Sequence, residues 1–418
     1  VLEANRPPTA AEEEILSRIA GSGRITFREF MEVALYHPTG GYYTDPTLRT
    51  GAGDYYTSPM AHPAFGAAIA IQLRQMWRLL DRPATFTVVE MGAGKGGLAT
   101  DVTEYAARLD GAFADALNYL ALDLGQAVPT GVTGCFVSNE LLDAMPVARF
   151  EMVDGEVQER FVALNDEGTA LTGVLGEPET AALGARLAEL PNPLPDGSRG
   201  EVNPGVRPWM ETVSESLIRG FVVSIDYGGT AEEIYARPGG TLQTYYNHVD
   251  GLSPYQNVGR QDITAHVDFS LVQTEGEGVG LRSLGLTSQA ELLRRNGIDV
   301  MADTLQALGL SASELRANRY GVEKLTRPDG LGGFQVLVQE KGTGVKDTGV
   351  AGLDGVYPSS KELGDLPAPA LLGDGHLRLA EGGYPSLSFE VDSLWPDWSD
   401  APDSDSPDSP ELSGDSPE

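Results

Sequence analysis

The chain is 418 residues long and carries 61 acidic residues against 29 Lys and Arg, a formal net charge of −32. It lacks the clustered cations that neutralise phosphates, which argues against free nucleic acid and anionic membrane surfaces as partners and leaves a basic protein partner compatible. Hydrophobic residues make up 41% of the chain, enough for a sizeable core shared among two or three structural units.

The single cysteine, Cys135, sits in the apolar run Cys135-Phe136-Val137 and reads as a buried small side chain. No intrachain disulfide is possible, which fits a reducing compartment. No apolar run approaches the ~20 residues of a transmembrane helix, so membrane insertion is not expected. Residues 1–14 are acidic and lack the features of a signal or transit peptide. The chain begins at Val1 rather than Met, which leaves room for a removed leader.

Residues 11–36 carry two helical patterns. In the second, Phe27, Phe30, Met31, Ala34 and Leu35 recur at helical spacing, Thr26 and Glu29 form a capping box, and His37-Pro38 ends it. Residues 38–63 are rich in Gly, Tyr, Thr and Pro and read as ordered loop. An amphipathic helix is expected over 64–80, and strands over Phe86–Glu90 and Asn118–Asp123. A third strand ends at Cys135–Ser138 and leads through Asn139-Glu140 into a short helix. Antiparallel strands fill 147–172, with turns at Asp154-Gly155 and near Glu167-Gly168. Helices are expected over 177–190, 206–219, 288–296 and 301–317, and strands over Phe221–Asp226 and Phe334–Glu340. This alternation predicts a mainly parallel sheet covered by helices on both faces. From residue 343 onward, Lys346, Lys361 and Arg378 stand alone against many acids, and the last twenty residues are almost entirely polar. Such a tail buries too little surface to offset its ordering entropy, although Leu363–Leu372 and Tyr384–Trp398 hold apolar residues able to dock.

The run Val88-Val89-Glu90-Met91-Gly92-Ala93-Gly94-Lys95-Gly96-Gly97, followed by a helical pattern from Leu98 to Leu109, reads as strand, tight turn and helix. Its glycines bring a ligand close to the backbone and to the free N–H groups of a helix start. Gly92, Gly94 and Gly97 satisfy the dinucleotide pattern G-x-G-x-x-G. Glu90, Gly92, Gly94 and Gly96 satisfy the E/D-x-G-x-G-x-G pattern of S-adenosylmethionine (SAM) enzymes. The glycines do not decide between them. Glu90 tilts the choice, because a carboxylate repels a pyrophosphate but suits a cofactor with a sulfonium and an ammonium.

Several ordered blocks together resemble the MidA family of SAM-dependent methyltransferases, over about Ile25 to Lys341. They include Ile25-Thr26-Phe27, Gly40-Gly41-Tyr42-Tyr43, Gly53-Asp54-Tyr55-Tyr56-Thr57-Ser58-Pro59 and the loop from Glu90. Further blocks are Asn139-Glu140-Leu141-Leu142-Asp143-Ala144-Met145-Pro146-Val147, Ile225-Asp226-Tyr227-Gly228, Gly240-Thr241-Leu242 with His248, and Asp262-Ile263-Thr264-Ala265-His266-Val267-Asp268-Phe269. Two features depart from the family pattern. The span Asp123–Asn139 is short where the family has a longer stretch with a helix, and Gln243 stands where an arginine is expected.

The resemblance implies an α/β fold: a Rossmann-like SAM-methyltransferase sheet with an N-terminal helical cap (1–82), a core (83–342) holding an inserted α+β segment (about 147–205), and a disordered acidic tail (343–418). It implies SAM as cofactor, with Gly53, Asp54, Thr57 and Ser58 closing over it, Glu90, Gly92, Gly94 and Gly96 cradling it, Asp123 on the ribose hydroxyls and Asn139 beside the methyl group. It also implies arginine N-methylation of a protein partner such as a respiratory complex I subunit, in the cytoplasm of a bacterium or, after loss of a leader, in the mitochondrial matrix.

Methyl transfer from a sulfonium needs alignment more than proton chemistry, which accords with the absence of an obvious triad or metal motif. A guanidinium is protonated and a poor nucleophile, so carboxylates must grip and aim it. Glu140, Asp143 and Asp226 are the candidates, with Tyr227 and His248 near them in the motifs and Glu140 expected to orient the guanidinium. His266 is a weaker candidate, and Tyr42, Tyr43, Tyr55 and Tyr56 read equally as stacking groups or loop anchors. The competing readings are a non-catalytic SAM-binding assembly factor, a small-molecule methyltransferase and a nicotinamide-dependent oxidoreductase.

Overall fold

The computed structural model describes residues 6–45, 57–246, 249–345, 353, 355–364, 366–373 and 376. The chain begins with α1 (Ala10–Ser22), β1 (Arg24–Thr26) and α2 (Phe27–Tyr36). Thr26 and Glu29 close the expected capping box at the start of α2. The short α3 (Ser58–Ala61) and the long α4 (Ala64–Leu79) follow, then β2 (Phe86–Met91), α5 (Gly97–Leu109), α6 (Gly111–Ala116), β3 (Leu117–Leu122) and β4 (Val132–Asn139). An inserted unit comprises β5 (Ala148–Val153), β6 (Glu156–Leu164), β7 (Leu171–Gly176), α7 (Ala181–Ala188) and β8 (Arg199–Val202). The core resumes with α8 (Val206–Ser216) and β9 (Leu217–Asp226). The short pieces β10 (Gly228–Gly229), α9 (Ala231–Tyr235), β11 (Gln243–Tyr246), β12 (Val249–Asp250), β13 (Asp262–Thr264) and β14 (Val267–Asp268) come next. The fold ends with α10 (Phe269–Gly278), β15 (Arg282–Ser288), α11 (Gln289–Arg295), α12 (Ile298–Thr304), α13 (Ala312–Thr326), β16 (Gln335–Lys341) and α14 (Ser360–Leu363).

The main sheet has six strands in the order β15-β16-β9-β4-β2-β3. β3, β2, β4 and β9 run parallel, and β16 and β15 close the far side antiparallel. The inner strands β2, β4, β9 and β16 are buried on both faces, and their side chains alternate between two cores as the pleat requires. Val88, Cys135, Val137, Phe221, Val223 and Ile225 face α4, α5, α11, α12 and α13. Val89, Phe136 and Val222 face α8 and α10. The return from β3 to β4, residues 123–131, contains no helix, so the short span noted in the sequence is one extended crossing. The second sheet joins β1 to the inserted strands in the order β1-β6-β5-β8, with β7 on the other edge of β6. There α1 and α2 pack with Val147 and Val162 in a separate core.

Three expectations are corrected. The helix at 64–80 is not amphipathic: α4 is buried almost throughout. Its outer face is covered by residues after the last strand, where Leu353 and Val356 join the core and the Val356 carbonyl accepts from Gln72 Nε2 at 2.8 Å. The helix at 301–317 is broken. Gly309 takes a left-handed conformation (φ +68°), and a capping box of Ser311 and Glu314 starts α13 afresh. The third, the short helix after Glu140, is replaced by a turn described below.

The docked C-terminal segment also includes Leu363 and Leu366 against the same core, Tyr105 Oη donating to the Pro367 carbonyl, and Leu372 N–H donating to Asn318 Oδ1. Val356→Ala is therefore expected to cost about 2 kcal/mol through two lost methyl groups and the cavity they leave, read as a lower denaturant midpoint. An unchanged midpoint would mean that this segment contributes nothing to stability.

Candidate functional site

The site is built where β2, β4 and β9 end side by side, the edge at which ligands bind in open α/β sheets. After Glu90 and Met91 the loop turns through Gly92 (φ +79°), Gly94 (φ +53°) and Gly96 (φ +75°), conformations that side-chain-bearing residues adopt only at a cost. At Gly92 an added Cβ would lie 2.9 Å from Leu141 Cδ1, which places the loop directly against the turn after β4. The N–H groups of Gly92 and Ala93 donate to the Leu122 carbonyl and tie the loop to the end of β3. Gly96 forms the N-cap of α5 without a side-chain capping bond, leaving the helix start open to a ligand.

Glu90 is buried, and Tyr119 Oη donates to its Oε2 at 2.9 Å. Burial pushes its carboxyl up to about 7, against the pull of that hydrogen bond. Asp123 follows β3 directly. Its Oδ1 accepts from Leu124 N–H, and its own N–H donates to Gln126 Oε1.

Asn139 pairs with Ile225, and the Ile225 carbonyl accepts from Glu140 N–H at 2.9 Å. Glu140 then adopts φ +52°, and the chain turns instead of forming a helix. The cause is Asp226 at the end of β9. Its Oδ2 accepts from the N–H groups of Leu141, Leu142 and Asp143, at 3.2, 2.9 and 3.3 Å. These donors converge on one buried oxygen, which fixes the turn that carries Glu140 and Asp143. Glu140 Oε1 accepts from Asn139 Nδ2 at 2.8 Å and from Ser58 N–H at 3.3 Å. Tyr227 Oη donates to Asp143 Oδ2 at 2.7 Å, while Asp143 Oδ1 and Asn139 Oδ1 are buried without a hydrogen-bond partner.

Burial, then the charge of Asp143, pushes the Glu140 carboxyl up to about 8. Burial pushes Asp143 up to about 6. Asp226 is driven upward by burial, then by Asp143 and Glu140, against the N–H groups it accepts. Among the described residues, no Lys, Arg or His is among the main influences on these three carboxyls. The cluster is acidic, enclosed and short of a counter-charge, an arrangement that favours a cationic ligand. No group of three or more His, Cys, Asp or Glu among the described residues is arranged to hold a metal ion.

The other expected residues are distributed unevenly. Ser58 is fully buried and its hydroxyl donates to Gln289 Oε1, so it presents only its N–H, to Glu140. Thr57 precedes α3 without a side-chain capping bond. Tyr42 is packed in the N-terminal core, and Tyr43 Oη donates to Asp262 Oδ1, which makes both anchors. His266 lies edge-on to Tyr227 with ring centroids 5.2 Å apart, and burial lowers its pKa to about 3. Gly53, Asp54, Tyr55, Tyr56 and His248 lie outside the described residues. Sequence reasoning did not find Tyr119, a strand residue that carries no motif signal.

The residues fit SAM. The glycine turn leaves room for close backbone approach, α5 offers open N–H groups, and Asn139 Oδ1 and Asp143 Oδ1 are polar atoms awaiting partners. Residues 68–129 and 122–287 match a family model of S-adenosyl-L-methionine-dependent methyltransferases, and the two matches meet at the short β3–β4 crossing. A crystal structure of a superfamily member from Burkholderia thailandensis is 30% identical, with a TM-score of 0.67, and covers 81% of this chain and 95% of that one. Another from the same organism, bound to S-adenosyl-homocysteine, is 28% identical with a TM-score of 0.66 and the same coverage. Among curated proteins, the mitochondrial protein arginine methyltransferase NDUFAF7 homolog of Drosophila melanogaster is 26% identical, over 77% of this chain and 82% of that protein. Its Homo sapiens counterpart is 23% identical, over 79% and 82%. With fold, glycine loop and family match in agreement, the chain belongs to the S-adenosyl-L-methionine-dependent methyltransferases of the MidA type, and SAM is its cofactor.

Proposed function

We propose that this protein N-methylates arginine in a protein partner. The observation that carries the reading is the buried group Glu140, Asp143 and Asp226, which lies beside the glycine loop and, among the described residues, has no cation among its main influences. The names of the mitochondrial relatives, protein arginine methyltransferases, support it. The partner class implied by the family resemblance, a respiratory dehydrogenase subunit, belongs to the same proposal, as does a reducing compartment, with which the free, buried Cys135 agrees.

In this reading Gly92, Gly94, Gly96 and the start of α5 hold the methionyl end of SAM together with Glu90. Asp123 takes the ribose hydroxyls, and Asn139, with Thr57 and Ser58 above it, borders the methyl group. SAM supplies, when bound, a methyl group on a sulfonium that is open to in-line displacement. Glu140 grips the target guanidinium and aims one nitrogen, since a carboxylate accepts two of its N–H groups in a fixed plane; as the N–C bond formed and the C–S bond broke, that nitrogen would give up one proton to the acidic group, leaving methylguanidinium and S-adenosyl-homocysteine. Asp143, steadied by Tyr227, supplies a second carboxylate oxygen through its unpartnered Oδ1. Asp226 keeps both in place by holding the turn. These groups offset the positive charge that would otherwise make burial of a guanidinium costly. His248 is given no step.

The test is transfer of labelled methyl from SAM to arginine-bearing test proteins and to counterparts with arginine replaced by lysine, read by mass spectrometry at the modified residue. Label confined to arginine is expected. Label on lysine, on small molecules alone, or SAM binding without any transfer would overturn the reading.

A further inference from the structure

We propose that Tyr119 is a positioning residue of the cofactor site, whose hydroxyl holds the Glu90 carboxylate in one orientation as an acceptor for the methionyl ammonium of SAM. This rests on the reading of Glu90 as a SAM ligand.

The register of the sheet makes the pair specific. On β3, Tyr119 stands opposite Val88, one pleat from Glu90, and its ring joins the core under α5. The strand neighbours level with Glu90 are Ala121 on β3 and Val137 on β4, and neither side chain can form a hydrogen bond. Tyr119 Oη, 2.9 Å from Oε2, is therefore the hydrogen-bond partner that the described chain gives this carboxylate. Among the described residues, no Lys, Arg or His is among the main influences on Glu90, and the nearby ionisable groups from β3 and β4, Tyr119 and Cys135, are both held neutral by burial. The phenol thus does two things at once. It fixes the direction of the carboxylate, and it favours the ionised form in a place where burial favours the neutral one. A neutral or rotated Glu90 is a poor partner for an ammonium, so loss of the hydroxyl should reach the cofactor without disturbing the packing of the ring.

The experiment is calorimetric titration of the full chain and of Tyr119→Phe and Glu90→Gln with SAM and with S-adenosyl-homocysteine, over roughly pH 6 to 9. Tyr119→Phe is expected to bind both about tenfold more weakly at neutral pH, and to move the pH at which affinity falls upward by about one unit. Glu90→Gln is expected to bind weakly and to lose the step that Glu90 gives wild type near pH 7, leaving only what Asp143 and Glu140 contribute. If Glu90→Gln loses that step while Tyr119→Phe follows wild type, Tyr119 has no positioning role and the reading of Glu90 survives. If Glu90→Gln keeps both the affinity and the profile of wild type, the reading of Glu90 falls, and the proposal for Tyr119 falls with it.

Discussion

Glu140→Gln is expected to lose methyl transfer by on the order of 100-fold while SAM binding persists and the folded protein becomes more stable at alkaline pH. The two effects share one cause. The Glu140 carboxyl is raised to about 8 in the fold, far above its ordinary value of 4.5, because it is buried beside Asp143. Raised in the folded state, an acid contributes stability that is fully present below the unfolded value and is lost as pH rises through the folded one. Wild type should therefore weaken from about pH 5 to about 8, and the variant, neutral at position 140, should weaken less over that range, keeping only the share that the raised Glu90, Asp143 and Asp226 contribute. Glutamine keeps an oxygen for Asn139 Nδ2 and Ser58 N–H, so the local hydrogen bonds survive. What it lacks is the charge for a guanidinium. Thermal unfolding at two pH values, paired with single-turnover methyl transfer, reads both effects. Near-normal turnover would remove Glu140 from the orienting role, and equal pH dependence of unfolding would remove the buried-charge argument.

Asp226→Ala is expected to be the most damaging substitution in the site. It strips the acceptor from the N–H groups of Leu141, Leu142 and Asp143, of which the last two residues are buried. The cost should be about 3 kcal/mol or more, with methyl transfer lost as Glu140 and Asp143 drift out of place. Asp226→Asn retains an oxygen for these donors and should lie between the two in denaturant midpoint. If Ala and Asn behave alike, the turn is held by something other than this oxygen.

The turn also marks where sequence reasoning stopped. The stretch after Glu140 reads as a short helix because Leu141, Leu142 and Ala144 are good helix formers. Its N–H groups are instead taken by a carboxylate that arrives from 83 to 85 residues further along the chain. Local propensity is worth tenths of a kcal/mol per residue, and a set of buried donors on one carboxylate outweighs it. In α4 the helix itself was legible, but not its burial, because the segment that covers it lies after the last strand. The break between α12 and α13 has a local cause: Gly309 and the Ser311–Glu314 box interrupt the longer periodic pattern over 301–317.

What the sequence by itself determined is whatever a few neighbouring residues can specify. The Thr26–Glu29 cap, the alternating strands of the core and insert, and the glycine turn after Glu90 all depend on contacts within a few positions, and such patterns survive in any tertiary setting. Tertiary structure alone decided which acids come together and that Tyr119 reaches Glu90. Those outcomes depend on sheet register and on the removal of water, and burial turns ordinary carboxylates into a demand for positive charge that no local motif encodes.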